Sequence, residues 1–162
     1  MVDYMNLEEQ LDADFDRARR RAFFGGLKTR FGGGRDRLLS FDVVRKALGV
    51  TNRFYLGRKV VEVSKIVGSV GRHGEFDRDF MPAKSSLGYK WKRIDRALRR
   101  GVDLPAVSLY KIGDAYFVED GNHRVSVARY QGVEMIDAEV TEFRARSSVG
   151  LKVPDLELAV AC

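Results

Sequence analysis

Gly121, Asn122, His123 and Arg124 stand where an apolar, β-rich run (Ala115-Tyr116-Phe117-Val118) passes through Glu119 and Asp120 into a helical pattern that closes at Gly132. A glycine there permits a positive φ or a close backbone approach. The backbone N–H groups of residues 122–125 then lie free at a helix start, where the helix dipole favours an anion. Arg124 adds a planar fork of donors suited to phosphate oxygens. His123 can donate one or two further hydrogen bonds, and Asn122 can cap the helix or touch a ligand. The chemistry this spells is phosphate binding. The same residues also admit a plain structural use, in which Asp120 or Asn122 caps the helix and His123 sits in a hydrogen-bonded corner.

A second group of chemistry-bearing residues lies in GSVGRHGEFDRDFMPAKSS, a polar stretch of about twenty residues from Gly68. Long loops in small domains are commonly functional or disordered. This one carries Arg72, His73, Glu75, Asp77, Arg78 and Asp79, with Phe76 and Phe80 between them, a pattern expected of a loop that packs down. A third candidate, FFGGLKTRFGGGRDR, sets Lys28, Arg30 and Arg35 among two glycine clusters. It lacks the lysine and hydroxyl of a Walker A loop in their places. It reads as a flexible hinge or linker that ends any preceding helix.

The elements that must position these groups follow from periodicity. Leu7, Leu11, Phe15, Ala18 and Ala22 form one apolar stripe of a helix whose acidic start and basic end complement its dipole. Ser40 begins a short helix over 41–48, closed by Gly49. Residues 59–67 have the β-branched density of a strand. Residues 89–100 read as a helix with Trp91, Ile94, Ala97 and Leu98 on its apolar face. Residues 106–112 and 115–119 flank the Gly113-Asp114 turn as a β-hairpin. A helix over 122–131 and a strand over 136–143 follow, and the tail after Arg146 is loosely patterned. The expected class is α+β, with a helical, Gly-interrupted basic extension over residues 1–50, the main domain over 59–143 and an arm over 144–162.

Net charge is +6 across 162 residues, but it is unevenly spread. Residues 1–16 carry six acids and no base; residues 17–100 carry 23 Lys and Arg against 7 acids; residues 101–162 carry 6 bases and 10 acids. The basic middle implies a polyanionic partner, either DNA, RNA, a nucleotide or an acidic protein surface, or else a solvated basic face. A lone cysteine, Cys162, allows no disulfide within the chain. No apolar run has the length of a membrane span, and the acidic N-terminus is unlike a secretory signal. The expectation is a cytoplasmic protein that uses no membrane.

The run DGNHRVSVARYQG resembles the signature of the ParB/sulfiredoxin superfamily. In ParB-type partition proteins the box reads Gly-Glu-Arg-Arg before a helix ending in Ala and Gly. In sulfiredoxins it reads Gly-Gly-Cys-His-Arg, and in ParB-like free serine kinases Asp-Gly-His-His-Arg. Gly121, Arg124, Ala128 and Gly132 fall on the shared positions, and His123 on that of the last two groups. The similarity spans roughly residues 59–143 and implies a small mixed sheet with helices. It also implies nucleotide phosphates held on the box: CTP with magnesium in ParB, ATP in sulfiredoxins, and phosphoryl transfer to a free amino acid in the kinases. The sulfiredoxin cysteine falls at Asn122, which removes that reaction. The glutamate that ParB turns toward magnesium also falls at Asn122, so Mg²⁺ would need other acids, with Glu119, Asp120, Glu75 and Asp77 the candidates. The second ParB box is not visible after Phe143, and no helix-turn-helix follows.

The resemblance thus implies a stand-alone domain binding a nucleoside triphosphate, CTP or ATP, on Gly121, Asn122, His123 and Arg124. Arg72 and His73 would close over the phosphates. If a phosphoryl group is transferred or hydrolysed, Glu75 or Asp77 would take the acceptor's proton. The other reading is a DNA-binding regulator acting through the basic 17–100 segment, and a homodimer is compatible with either.

Overall fold

The computed structural model describes residues 6–144 and 151–161. Helix α1 (Leu7–Gly32) opens on a capping box: Asn6 Oδ1 accepts from Glu9 N at 2.9 Å, and Glu9 Oε2 accepts from Asn6 N at 3.1 Å. Each reciprocal bond satisfies an N–H that the first turn leaves without a partner. The helix runs through Gly25-Gly26, where a hinge was expected. Neither glycine has a positive φ, and the Thr29 hydroxyl bonds back to the Gly25 carbonyl at 2.7 Å. Two mid-helix glycines cost about 1 kcal/mol each against alanine; the docked stripe of Leu11, Phe15, Ala18 and Ala22 offsets that. The helix stops at Gly33, whose φ is 76°.

After α1 come β1 (Leu39–Ser40), α2 (Phe41–Leu48), β2 (Asn52–Glu62), β3 (Ile66–Ser69), α3 (Gly88–Arg99), β4 (Val107–Ile112), β5 (Ala115–Asp120), α4 (Asn122–Tyr130), β6 (Met135–Arg144) and α5 (Val153–Ala161). The six strands form one mixed sheet in the order β1-β3-β5-β4-β6-β2. The β4–β5 hairpin and the β2–β6 pair are antiparallel; β1–β3, β3–β5 and β4–β6 are parallel. The α+β class with a mixed sheet is as expected. The single strand expected over 59–67 is two: a 3₁₀ turn at Val63–Lys65 sends β2 to pair with β6 and β3 to pair with β5.

Successive strand residues point to opposite faces, and β5 shows the consequence. Tyr116 and Val118 join a core with α1, α3 and α4 (Phe15, Trp91, Val125, Val127), while Ala115 and Phe117 join a second core with α2 and α5 (Phe41, Val44, Leu156). Both faces of the sheet are therefore covered. The expected N-terminal extension supplies Phe15 and Ala18 to the first core and strand β1 to the sheet. Within the segment read as an arm, residues 145–150 and Cys162 lie outside the described residues. The α5 segment is a helix that buries Leu156 completely against α2.

The long loop after β3 does pack down. Phe76 and Phe80 are buried, and Phe76 pairs with Pro82 across a β-bridge. Trp91 Nε1 donates to Ser126 Oγ at 2.9 Å, and Ser126 Oγ in turn donates to the Phe80 carbonyl. This buried chain locks α3, α4 and the loop into one frame.

Candidate anion-binding cleft

The hairpin's second strand delivers the chain to α4 through Gly121, whose φ is 109°. Only glycine fits there without strain, because a Cβ would sit 2.6 Å from Val107 Cγ1. Val125 N is the first intrahelical donor, reaching Gly121 O at 3.0 Å. The N–H groups of Asn122, His123 and Arg124 therefore have no partner within the helix, and no side chain caps this end. They open on a cleft of about 540 Å³ whose walls include Arg72, Lys90, Arg93, Asp120 and all of Gly121–Arg124.

The side chains at the helix mouth are under-satisfied. Asn122 is buried, and among the described residues its Oδ1 meets no hydrogen-bond partner; the same holds for both ring nitrogens of His123. A buried polar atom without a partner costs about 1–3 kcal/mol, so a group that supplied one would be favoured here. His123 stacks its ring edge-on against Phe76, with centroids 5.5 Å apart. Burial first, and then the charges of Arg72 and Lys90, push its pKa down, with Glu75 working weakly the other way. It is neutral at pH 7 and holds one donor and one acceptor nitrogen.

Arg124 departs from its expected role as a phosphate fork. Its Nη1 donates to the Pro105 carbonyl at 2.6 Å and the Ala106 carbonyl at 3.1 Å, and its Nη2 to Asp120 Oδ2 at 3.0 Å. The side chain is 14% exposed. Arg124 is thus a strap that ties the loop before β4 to the helix start, and it forms a wall of the cleft. The free cations come from elsewhere. Lys90 and Arg93, three apart on one face of α3, line the cleft and have no ion-pair partner among the described residues. Sequence reasoning missed both. Their i, i+3 spacing was visible, but they were indistinguishable from the other bases of residues 90–100.

The remaining candidates are distributed differently. Arg72 lines the cleft and pairs with Glu75 at 2.8 Å. Glu75, His73, Asp77 and Glu119 are not among the residues that line it. The Asp77 carboxylate is used within its own loop, where Oδ1 accepts from Asp79 N at 2.9 Å and Met81 N at 2.8 Å; burial pushes its pKa up. Among the described residues, no group of three or more His, Cys, Asp or Glu side chains is placed to hold a metal ion. Of the metal candidates Glu119, Asp120, Glu75 and Asp77 only Asp120 lines the cleft, and it pairs with Arg124. The described residues do not fit a protein-held divalent cation.

On α3, much of the remaining basic charge is neutralised from within. Lys92 pairs with Asp12 at 2.7 Å, Arg96 with Glu8 at 2.7 Å and Arg99 with Asp14 at 2.6 Å. The acidic start of α1 and the basic outer face of α3 are complementary surfaces of one helix pair. No described helix is long and apolar enough to cross a membrane.

The chain matches no protein-family model and no curated relative. Among solved structures it is similar to sulfiredoxin from Arabidopsis thaliana, at 16% identity and a TM-score of 0.39, over 51% of this chain and 82% of that one. A likeness at that level says nothing of ligand or reaction.

Proposed function

We propose that this protein binds the phosphates of a nucleoside triphosphate, CTP or ATP, at the N-terminus of α4. One observation carries the reading: the start of α4 without a side-chain cap, Asn122 and His123 with buried polar atoms that have no partner among the described residues, and Lys90 and Arg93 with no ion pair among them all line one cleft. Amides at a helix start bind anions through directed N–H groups and the dipole together. Lys90, Arg93 and Arg72 supply the charge that Arg124, held by Pro105, Ala106 and Asp120, does not. Neutral His123 offers a donor without adding charge, and rotation of the Asn122 amide presents either its oxygen or its nitrogen.

Binding alone is better supported than phosphoryl transfer. A transferase needs a base within hydrogen-bond reach of the acceptor. Asp77 is committed to its loop, and Glu75 is paired with Arg72 outside the lining. The nucleic-acid reading has less support than the nucleotide one, since Lys92, Arg96 and Arg99 are paired with acids of α1.

Calorimetric titration with CTP and ATP tests the proposal. Lys90→Ala and Arg93→Ala should each weaken binding by about tenfold, the size of one charge-assisted phosphate contact, and leave the melting temperature near that of the parent. Binding unaffected by both substitutions would refute the assignment.

A further inference from the structure

The anion cleft does not end at Arg124. A second chamber of about 350 Å³ opens on the other side of that side chain, and the two share Ile94, Leu104, Pro105 and Arg124 as common walls. The first chamber is cationic. The second is aliphatic, built from Leu98, Val127, Ala128, Val133 and Ile136, with Val102 and Met135 at its lip. Val102 is 53% exposed and Met135 47%. Apolar side chains left open around a hollow mark a binding surface more often than a solvated one.

Besides the shared Arg124, two carboxylates stand in this lining. Asp137 is taken by Arg58, whose Nη2 lies 3.0 Å from Asp137 Oδ2. Asp103 is exposed at the rim and has no hydrogen bond or ion pair among the described residues. A carboxylate accepts and cannot donate, so a ligand group that bonds to it must bring an N–H or O–H. The chamber thus offers apolar contact, an acceptor at its edge and four walls in common with the phosphate cleft.

We propose that the aliphatic chamber holds the base of the nucleotide whose phosphates sit at the start of α4, and that Asp103 selects bases carrying an exocyclic amino group. The inference rests on the phosphate reading above. Arg124 is the divider: by tying Pro105 and Ala106 to α4 it fixes the wall between the phosphate and base halves. Adenine and cytosine present an amino donor to Asp103; uracil presents none in that place. Uracil instead sets a carbonyl oxygen against the carboxylate, and two acceptors repel rather than bond.

The test is calorimetric titration of the parent, Val102→Trp, Met135→Trp and Asp103→Ala proteins with ATP, CTP, UTP and inorganic tripolyphosphate. Tripolyphosphate carries the charge without a base. The substituted tryptophans fill the chamber from half-exposed positions, and thermal melts confirm that each variant is folded. ATP or CTP should bind the parent at least about tenfold more tightly than UTP or tripolyphosphate. Each tryptophan should bring the nucleotide down to the level of tripolyphosphate and leave tripolyphosphate itself unchanged. Asp103→Ala should erase the preference over UTP. If tripolyphosphate binds the parent as tightly as ATP and CTP, or if the tryptophans change nothing, the base lies elsewhere and only the phosphate reading survives. UTP binding equal to ATP and CTP binding in the parent would overturn the role of Asp103. Failure of all four ligands to bind would overturn both proposals together.

Discussion

Replacing Asp95 by asparagine should remove a pH dependence of stability built into the helix frame. Asp95 on α3 is fully buried beside Asp14 of α1, itself buried. Asp14 holds the charge: it accepts from Arg99 Nη2 at 2.6 Å and Nε at 2.9 Å, from the Tyr130 hydroxyl at 3.1 Å and from the Gln131 amide at 3.4 Å. Asp95 accepts from Gln131 at 2.8 Å, while its Oδ2 finds no hydrogen-bond partner among the described residues and lies 3.8 Å from Arg99 Nε. Arg17 and Arg21 also face this cluster, the first 3.6 Å from Asp14 and the second over the Tyr130 ring. Burial first, and then the neighbouring Asp14, push the Asp95 carboxyl from 3.8 up to about 7. The pKa of Asp14 is held below its ordinary value.

A carboxyl whose folded pKa is raised holds a proton that the unfolded chain has lost. Its contribution to stability is complete below pH 3.8 and is lost as the pH rises through about 7. At about 1.4 kcal/mol per unit, the full span amounts to about 4 kcal/mol. Asp14 has the opposite sign, but it acts below pH 3.8 and leaves the window above it to Asp95. Asparagine mimics the protonated carboxyl and cannot charge. Asp95→Asn should match the parent near pH 4 and exceed it at pH 8 by up to about 4 kcal/mol, or about 10 °C in melting temperature for a chain of this size. Melting curves of both proteins from pH 4.5 to 8 measure it. The difference between them cancels the other titrating groups, among them Asp77, raised in the same sense, and His123, lowered in the opposite one. A difference that stays flat across the range refutes the reasoning.

The other predictions concern the cleft and α1. Gly121→Ala forces a side chain into a backbone with φ of 109° and against Val107, and should cost about 1–3 kcal/mol in thermal unfolding. Gly26→Ala, where a Cβ meets nothing within 4 Å, should instead stabilise by about 0.4–1 kcal/mol; destabilisation there would restore the hinge. His123 should titrate below 6.5 by NMR, and saturation with a triphosphate should raise the midpoint through the added negative charge; an unmoved midpoint would place the phosphates elsewhere. Arg124→Ala cuts three hydrogen bonds and should lower both stability and nucleotide affinity. Lost affinity with an unchanged melting temperature would mean that the strap is not its role.

Local features were legible and sheet partners were not. Gly113-Asp114 fixes a hairpin by turn chemistry within four residues, and the helix after Gly121 carries its own start and stop. The break between β2 and β3 has no such signal. Val60 to Val67 is rich in β-branched residues on both sides of the break, and only pairing with β6 on one side and β5 on the other shows that the chain turns at Val63–Lys65. The helix over Val153–Ala161 is a similar case. Its burial depends on Leu156 finding α2, about a hundred residues earlier in the chain. Gly113 records the same closure: a Cβ there would lie 2.5 Å from the Leu151 carbonyl oxygen, so a glycine that reads as a turn residue is also a contact with the C-terminal segment.

The cleft shows the same limit at the level of chemistry. Arg124 has the residue type and position of a phosphate ligand, and sequence alone gives its five donors no other use. The carbonyls that take them belong to Pro105 and Ala106, brought within 2.6 and 3.1 Å because β4 and β5 pair antiparallel with Ser108 opposite Asp120, which carries the loop before β4 past the start of α4. With the fork occupied, charge for an anion must come from α3, which Trp91 holds against α4 through Ser126. The helix mouth and the cations that complete it are thus encoded about thirty residues apart. Their meeting depends on the buried chain of Trp91, Ser126 and Phe80, and not on the motif that first draws attention to the site.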